Sequence, residues 1–235
     1  MKRAKRAGSV LATLMLAALP GAFPAAARAA EPEATQTSWP DSFFGRVQVL
    51  ALLQTLNADL LSHDSATLTL EHWCSAHHLA SPAQISAQRI RDVTKPADAA
   101  VRALLQVDND ELVRYRRVSL RCGQVELSEA DNWYVPSRLT GDMARKLDQS
   151  DEPFGKVVQP LHFQRHTQSA VLLWAPLPEG WEMLDNSGAT GGHRDLTIPA
   201  AVLEHRAVLT LPDGTPFSEV VETYSSNVLS FPTAR

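Results

Sequence analysis

The segment 202–226 constrains the fold most, because two runs of alternating apolar and polar residues flank a tight turn. VLEHRAVLTL and PFSEVVETYSS stand on either side of PDGT, in which Gly214 can take the positive φ that hairpin turns require. RYRRVSLRC and VELSEADNWYVP form a second pair of this kind around Gly123. Two such hairpins predict an antiparallel sheet.

Shorter patterns extend the sheet and predict helices. Residues 84–92 and 161–175 have the composition of strands, which brings the sheet to about six strands. Helical spacing begins at Asp41 or Ser42, either of which can cap the helix, and the residues expected on its buried face are Phe44, Val47, Leu50 and Leu53. We therefore predict an α+β fold, a single antiparallel sheet with helices packed on one side.

The first thirty residues have the pattern of a secretory signal peptide. MKRAKRAG is basic, SVLATLMLAALPGAF is apolar and too short for a comfortable membrane span, and AAARAA offers small residues for cleavage. We expect cleavage near Ala29 or Ala30 and export to the periplasm or the medium, with an uncleaved N-terminal anchor as the alternative. Residues 31–40 then form a polar entry segment, and residues 41–235 form the folded domain.

Charge limits the classes of partner. Residues 1–30 hold five of the 22 basic residues and none of the 26 acidic ones, so the remainder has 17 basic residues and a formal charge of −9. An acidic body argues against binding to nucleic acid or to an anionic membrane surface. We expect a monomer with no stable membrane insertion after cleavage.

The two cysteines, Cys74 and Cys122, leave two outcomes open. An exported protein meets an oxidising environment in which they can pair, whereas two isolated cysteines in a chain of this length are also compatible with buried free thiols.

Arg116 is the residue of the first hairpin that requires an explanation. With a period of two, Arg117, Ser119 and Arg121 share a polar face, while Arg116 shares the other face with an apolar series, Val118, Leu120 and Cys122. A buried guanidinium needs an anion, either a carboxylate side chain or a ligand. The alternative is that Arg116 reaches the rim of the sheet and extends into water.

Glu222 presents the same problem on the last strand. It shares a face with Val220 and Tyr224, which makes it a candidate inward carboxylate. It either pairs with Arg116 or another basic group, or it forms one half of a binding pocket with Arg116 as the other half. The spacing does not separate these alternatives.

Four segments, in order, resemble the chorismate pyruvate-lyase family. LLSHDSATLTLE at 60–71 is similar to its Leu-Leu…Asp-Ser-Met-Thr stretch, and RRVSLRC at 116–122 to its Arg-Glu-Val-x-Leu strand. WYVPSRLTG with PFGKVV resembles Val-x-Pro-x-Ser-x-Leu and Pro-Leu-Gly-Arg, and GTPFSEVVETY resembles Gly-x-Pro-Leu-x-x-x-Glu-x-Phe. Together they span residues 60–226.

The resemblance implies both a fold and an activity. Members of this family have a six-stranded antiparallel sheet with helices on one side, related to the ligand-binding (UTRA) domain of some bacterial transcription regulators. As carbon–oxygen lyases they cleave chorismate to 4-hydroxybenzoate and pyruvate, with no metal or organic cofactor, and hold the product under flaps.

By the same resemblance, Arg116 binds the carboxylate of the ring, assisted by the backbone amides of Ala66 and Phe154. Glu222 faces the other end of the ring, where it supplies proton chemistry. Ala66 stands in place of a methionine and Asn132 where the family often has arginine. Glu222 lies one residue farther from Pro216 than in the family, which predicts a bulge or a shifted register in this strand.

Two functions therefore follow from the sequence. One is a lyase acting on chorismate or a related small cyclic carboxylate, with Glu222 as the catalytic residue. The other is a non-catalytic extracytoplasmic protein that binds a small aromatic carboxylate. In both, the loop 176–199, with its GATGG sequence at 188–192, is a candidate lid over the pocket.

Overall fold

Two tight turns join the central strands, as the sequence predicts. Gly123 has φ 57° and Gly214 has φ 86°, both in the left-handed region that glycine adopts at little cost. The computed structural model describes residues 38–184 and 194–231. Within them the strands are β1 (Ile85–Ile90), β2 (Arg114–Cys122), β3 (Val125–Tyr134), β4 (Gln164–Leu172), β5 (Ala201–Thr210) and β6 (Pro216–Ser225).

These strands form one antiparallel sheet in the order β1-β2-β3-β6-β5-β4. β4 is shorter than predicted, because His162 adopts φ 50° and the chain turns there before the strand begins. In the pairing of β5 with β6, Leu209 lies opposite Ser218 and Thr210 opposite Pro216, so Phe217 is an extra residue in β6. This register shift confirms the irregularity expected from the spacing between Pro216 and Glu222.

Five α-helices occur in the described residues: α1 (Phe43–Ser62), α2 (Ala66–Ala76), α3 (Ala99–Leu105), α4 (Gly141–Gln149) and α5 (Phe154–Val158). Side chains cap the first four, because the oxygen of the preceding residue accepts a hydrogen bond from a backbone N–H of the first turn. These caps are Ser42, Ser65, Asp98 and Thr140.

Four of the helices cover one face of the sheet. α1 and α2 pack on a core that includes Val118 and Tyr224, and α4 and α5 pack on a second core that includes Val220. The short α3 is the exception, because its Val101 and Leu105 pack against Trp133 and Val221 on the opposite face. The α+β class with a six-stranded antiparallel sheet, as described for residues 38–184 and 194–231, is confirmed.

The buried stripe of α1 differs from the predicted one. Phe44 is 69% exposed, and of the predicted set only Leu53 is fully buried. The buried residues are Gly45, Val49, Leu53, Leu56 and Leu60. The prediction chose the wrong register because apolar residues occur on both sides of this helix, and only the packing of α1 on the sheet separates them.

Cys74 of α2 and Cys122 of β2 form a disulfide, with 6.2 Å between their Cα atoms. Both residues are fully buried in the first core. The alternative of two free thiols is therefore wrong, and α2 is covalently attached to the strand that carries Arg116.

Some predictions fall outside the described residues. The signal peptide at 1–30 and the GATGG sequence at 188–192 are among them. Among the helices that are described, none has the length and apolar character needed to cross a bilayer.

Candidate ligand-binding site

A cavity of about 40 Å³ lies between the sheet and the N-terminal ends of α2 and α5. All four residues that the sequence proposed for the site line it: Arg116, Glu222, Ala66 and Phe154. The fold thus brings residues from four separate segments to one enclosed space. What each of them contributes depends on its contacts.

Arg116 points inward and is buried. Only 2% of its surface is exposed, so the alternative in which it extends from the rim into water is wrong. Its Nη2 donates hydrogen bonds to the backbone oxygens of Ser150, at 3.3 Å, and Glu152, at 2.7 Å. Arg116 therefore binds the chain between α4 and α5, which closes this end of the cavity.

The rest of the Arg116 guanidinium is unpaired. Its Nε and Nη1 are buried and have no hydrogen-bond partner within the described part of the chain. Burial, together with the positive charge of Arg89, lowers the pKa of Arg116 to about 10, so the group is still protonated at neutral pH. A desolvated cation with two unpaired donor nitrogens lacks the anion that would compensate it.

Glu222 also faces the cavity, but it does not pair with Arg116. Its Oε2 accepts from Arg165 Nη2 at 2.5 Å and from the Tyr224 hydroxyl at 3.2 Å. The strand register places the Cα atoms of Arg116 and Glu222 two strands and two residues apart, roughly 12 Å. The cavity therefore separates these two side chains.

Arg165 is the site residue that the sequence analysis missed. Its side chain is 4% exposed, lines the cavity, and reaches across β5 to Glu222. Burial opposes the charge of Arg165, but Glu222 outweighs it and raises the pKa of the guanidinium. The one available signal is the alternation of Phe163 with Arg165, which places both on the same face of the strand predicted at 161–175.

The Nε of Arg165 is unpaired within the described residues, as are two nitrogens of Arg116. It is buried and has no hydrogen-bond partner among residues 38–184 and 194–231. Two guanidinium groups, Arg116 and Arg165, and two carboxylates, Asp64 and Glu222, thus line the cavity, so its formal charges balance. Glu222 pairs with Arg165, which leaves Arg116 without a carboxylate partner among the described residues.

Two residues at helix N-termini, Ala66 and Phe154, bring backbone amides to the lining of the cavity. Ala66 is the first residue of α2 and Phe154 the first of α5, so their N–H groups have no acceptor within their own helices. The two helices meet closely here, because a Cβ at Gly155 would lie 2.7 Å from Ser65 Oγ and 3.0 Å from Thr67 Oγ1. Only glycine fits this approach without displacement.

Asn132 completes the polar lining beside Arg116. The two residues lie opposite each other in the pairing of β2 with β3, and both are buried. Asn132 Oδ1 accepts a hydrogen bond from Ser218 Oγ at 3.2 Å. A neutral amide therefore lies beside Arg116 on the neighbouring strand.

A larger groove of about 490 Å³ adjoins this cavity. Its lining includes the histidines His63, His72 and His162. No three histidine, cysteine, aspartate or glutamate side chains converge as a metal site in the residues that the structure describes.

The fold and the cavity define the class: an α+β protein with a buried pocket lined by an arginine that has no carboxylate partner among the described residues. The chain belongs to the same family as the "Uncharacterized protein y4mC" of Sinorhizobium fredii. The two sequences are 51% identical over 209 residues, which cover 86% of each chain. No family model matches the chain.

Solved structures with a similar arrangement come from bacterial transcription regulators. PhnF from Mycobacterium smegmatis covers 86% of this chain and 95% of its own, with 14% identity and a TM-score of 0.43. The ligand-binding domain of a putative GntR-family regulator from Bordetella bronchiseptica covers 65% of this chain and 88% of its own, with 16% identity and a TM-score of 0.39. The possible regulator YydK from Bacillus subtilis covers 64% of this chain and 61% of its own, with 17% identity and a TM-score of 0.38. The present chain therefore spans about three fifths of the length of YydK. Likeness at this level does not define a function.

Proposed function

We propose that this protein binds a small organic carboxylate, whose carboxylate group lies against Arg116 in the cavity. One observation carries the proposal: Arg116 is 2% exposed and its Nε and Nη1 find no partner in the described structure. Guanidinium N–H groups donate strong, charge-assisted hydrogen bonds to carboxylate, so a bound carboxylate supplies an acceptor for an unpaired nitrogen and neutralises the buried charge.

The amides of Ala66 and Phe154 support this binding mode. Both residues line the cavity together with Arg116, and both N–H groups lack an acceptor within their helices. An oxygen anion that contacts Arg116 is therefore within the same small space as further donors. The roles proposed for Arg116, Ala66 and Phe154 from the sequence are retained.

A finer form of the proposal is that the ligand is an aromatic or cyclic carboxylate. The aromatic ring of Phe163 lines both the cavity and the adjoining groove and offers apolar surface to a ring held in the groove. The resemblance of residues 60–226 to chorismate pyruvate-lyases supports the same class of ligand.

Cleavage of chorismate is the second candidate, and the position of Glu222 favours it. A carboxylate at the far end of the cavity from Arg116 is placed for proton transfer to a departing enolpyruvyl group. Arg165 and Tyr224 already engage Glu222 Oε2, however, which suits a structural ion pair. Binding without catalysis is therefore proposed first.

We further propose that the protein acts outside the cytoplasm. The signal-peptide pattern of residues 1–30 supports export, and the Cys74–Cys122 disulfide is of the kind found in oxidising compartments. Sequencing the N-terminus of the protein purified from its own cells tests this. A start near Glu31 is expected, and a start at Met1 overturns the proposal.

Calorimetric titration of the purified protein with acetate, benzoate and 4-hydroxybenzoate tests binding. Arg116→Gln is expected to abolish binding without unfolding the protein, because the free form loses an unpaired buried cation and only two hydrogen bonds. Arg117→Gln is the matched control, since Arg117 lies on the same strand but faces the other side of the sheet, beside Glu129.

Two results overturn the proposals. If Arg116→Gln binds these acids as well as the wild type does, the carboxylate site is wrong. For the lyase candidate, chorismate is incubated in parallel with the wild type and with Glu222→Gln, and 4-hydroxybenzoate is measured by chromatography. Formation of product by the wild type, lost in Glu222→Gln, establishes the lyase candidate, and no turnover by a folded protein that binds carboxylates eliminates it.

A further inference from the structure

The cavity and the groove beside it share part of their lining. The groove measures about 490 Å³, and Asp64, Ser65 and Phe163 line both spaces. Phe163 is 7% exposed and packs with Phe217 in the second core. The two spaces are therefore neighbours, and the Phe163 ring and the start of α2 form the wall between them.

Their sizes suit different parts of one ligand. The cavity, at about 40 Å³, is large enough for a carboxylate-sized group, whereas cavities that bind benzene measure about 150 Å³. The groove lies in the range of about 300–1,000 Å³ that is typical of small-molecule sites. The anion-binding groups are in the small space and the room for a ligand body is in the large one.

Charge and surface chemistry restrict the ligand further. Glu222 compensates Arg165, which leaves Arg116 as the unpaired cation that one carboxylate neutralises. In the groove, Leu68 and Phe163 provide apolar surface beside the polar rim, and Leu68 is 38% exposed. An apolar body placed there removes this surface from water.

We propose that the ligand is an elongated monocarboxylate, with its carboxylate in the cavity at Arg116 and an apolar body in the groove against Leu68. This inference rests on the proposed carboxylate site and names the class of molecule that fills it. Phe163 lies between the two parts, so its ring rotates aside when such a ligand enters.

Two probe molecules separate the two parts of the site: acetate, which is only a head group, and 4-phenylbutanoate, which adds an apolar body. Both are titrated into the wild type, Arg116→Gln, Leu68→Trp and Leu61→Trp. Leu68→Trp places an indole in the groove. Leu61→Trp is the matched control, because Leu61 is 50% exposed on α1 and does not line the groove.

We expect 4-phenylbutanoate to bind at least about tenfold more tightly than acetate, because its apolar body is buried. Leu68→Trp is expected to remove that advantage while acetate binding stays unchanged, and Leu61→Trp is expected to behave as the wild type does. Arg116→Gln is expected to remove binding of both probes.

The outcomes distinguish the two proposals. If neither probe binds the wild type, or if Arg116→Gln leaves both affinities unchanged, the carboxylate site itself fails. If acetate binds through Arg116 but 4-phenylbutanoate gains nothing, or if Leu68→Trp leaves its advantage intact, the carboxylate site stands and the groove subsite fails.

Discussion

Arg165 of β4 reaches across β5 to bind Glu222 of β6, with Nη2 2.5 Å from Oε2 and both side chains less than a tenth exposed. This pair decides between the alternatives that the sequence leaves open for Glu222. The carboxylate is compensated within the protein, whereas Arg116, in the same cavity, is not. Arg116 is therefore the residue in this cavity that needs an anion from a ligand.

Replacing only one member of the Arg165–Glu222 pair is expected to destabilise the protein more than replacing both members does. Glu222→Gln or Arg165→Gln alone leaves an uncompensated buried charge and is expected to lower the free energy of unfolding by about 3–5 kcal/mol. The double variant is expected to recover much of this loss. Urea denaturation of all four proteins gives the coupling energy.

Arg145→Gln is the control for that cycle, because Arg145 pairs with Asp142 at the surface, where both side chains are more than half exposed. It is expected to remain within about 0.5 kcal/mol of the wild type. Losses that simply add in the double variant would show that Arg165 and Glu222 act independently.

Gly155→Ala is expected to disturb the contact between α5 and α2. The added Cβ lies 2.7 Å from Ser65 Oγ, so the Ser65 side chain or one of the helices must move, at a cost of about 1–3 kcal/mol in the free energy of unfolding. Acetate affinity is expected to fall as well, because the same contact positions Ala66 and Phe154. Gly141→Ala is the control, since its nearest neighbour there is 3.8 Å away; equal effects of the two substitutions would contradict the close approach.

Reduction of the Cys74–Cys122 bond is expected to destabilise the protein. The bond links residues 48 positions apart, and closing a loop of this length in the unfolded chain corresponds to about 4 kcal/mol. Urea denaturation with and without a reductant measures the difference. The variant with both cysteines replaced by alanine should not respond to the reductant, and a wild type that is equally unresponsive would show that the bond is absent in solution.

His205 is expected to make the protein sensitive to acid. Its ring is fully buried, and burial together with the charge of Arg165 lowers the pKa of His205 to about 4. Its Nε2 is 2.8 Å from Asn57 Oδ1, and Nδ1 has no partner among the described residues, so protonation there leaves a donor unsatisfied.

The direction of the pH effect follows from proton binding. Between pH 6.5, the ordinary value in the unfolded chain, and about 4, the unfolded state binds more protons than the folded state, so stability falls as pH is lowered. The loss is about 3 kcal/mol across this window. Urea denaturation at a series of pH values should show it in the wild type and in His72→Gln, whose ring is exposed, and should show less of it in His205→Gln. A slope unchanged in His205→Gln would assign the effect to other groups.

Local patterns in the sequence determined the strands, the hairpin turns and the face of the sheet on which Arg116 and Glu222 lie. These features depend on a period of two residues and on the backbone freedom of Gly123 and Gly214, so a short stretch of chain contains the whole signal. A bulge or a shifted register in β6 was also expected, because Glu222 lies one residue farther from Pro216 than in the family that the sequence resembles, and the structure places the extra residue at Phe217.

Tertiary structure alone decided which charges meet. Arg165 lies 57 positions from Glu222 and two strands away, and the pairing becomes visible only when β5 is inserted between β4 and β6. The same holds for the disulfide, for the buried side of α1 and for the unpaired state of Arg116. Each depends on which elements pack together, and packing brings distant residues into contact in ways that no local periodicity encodes.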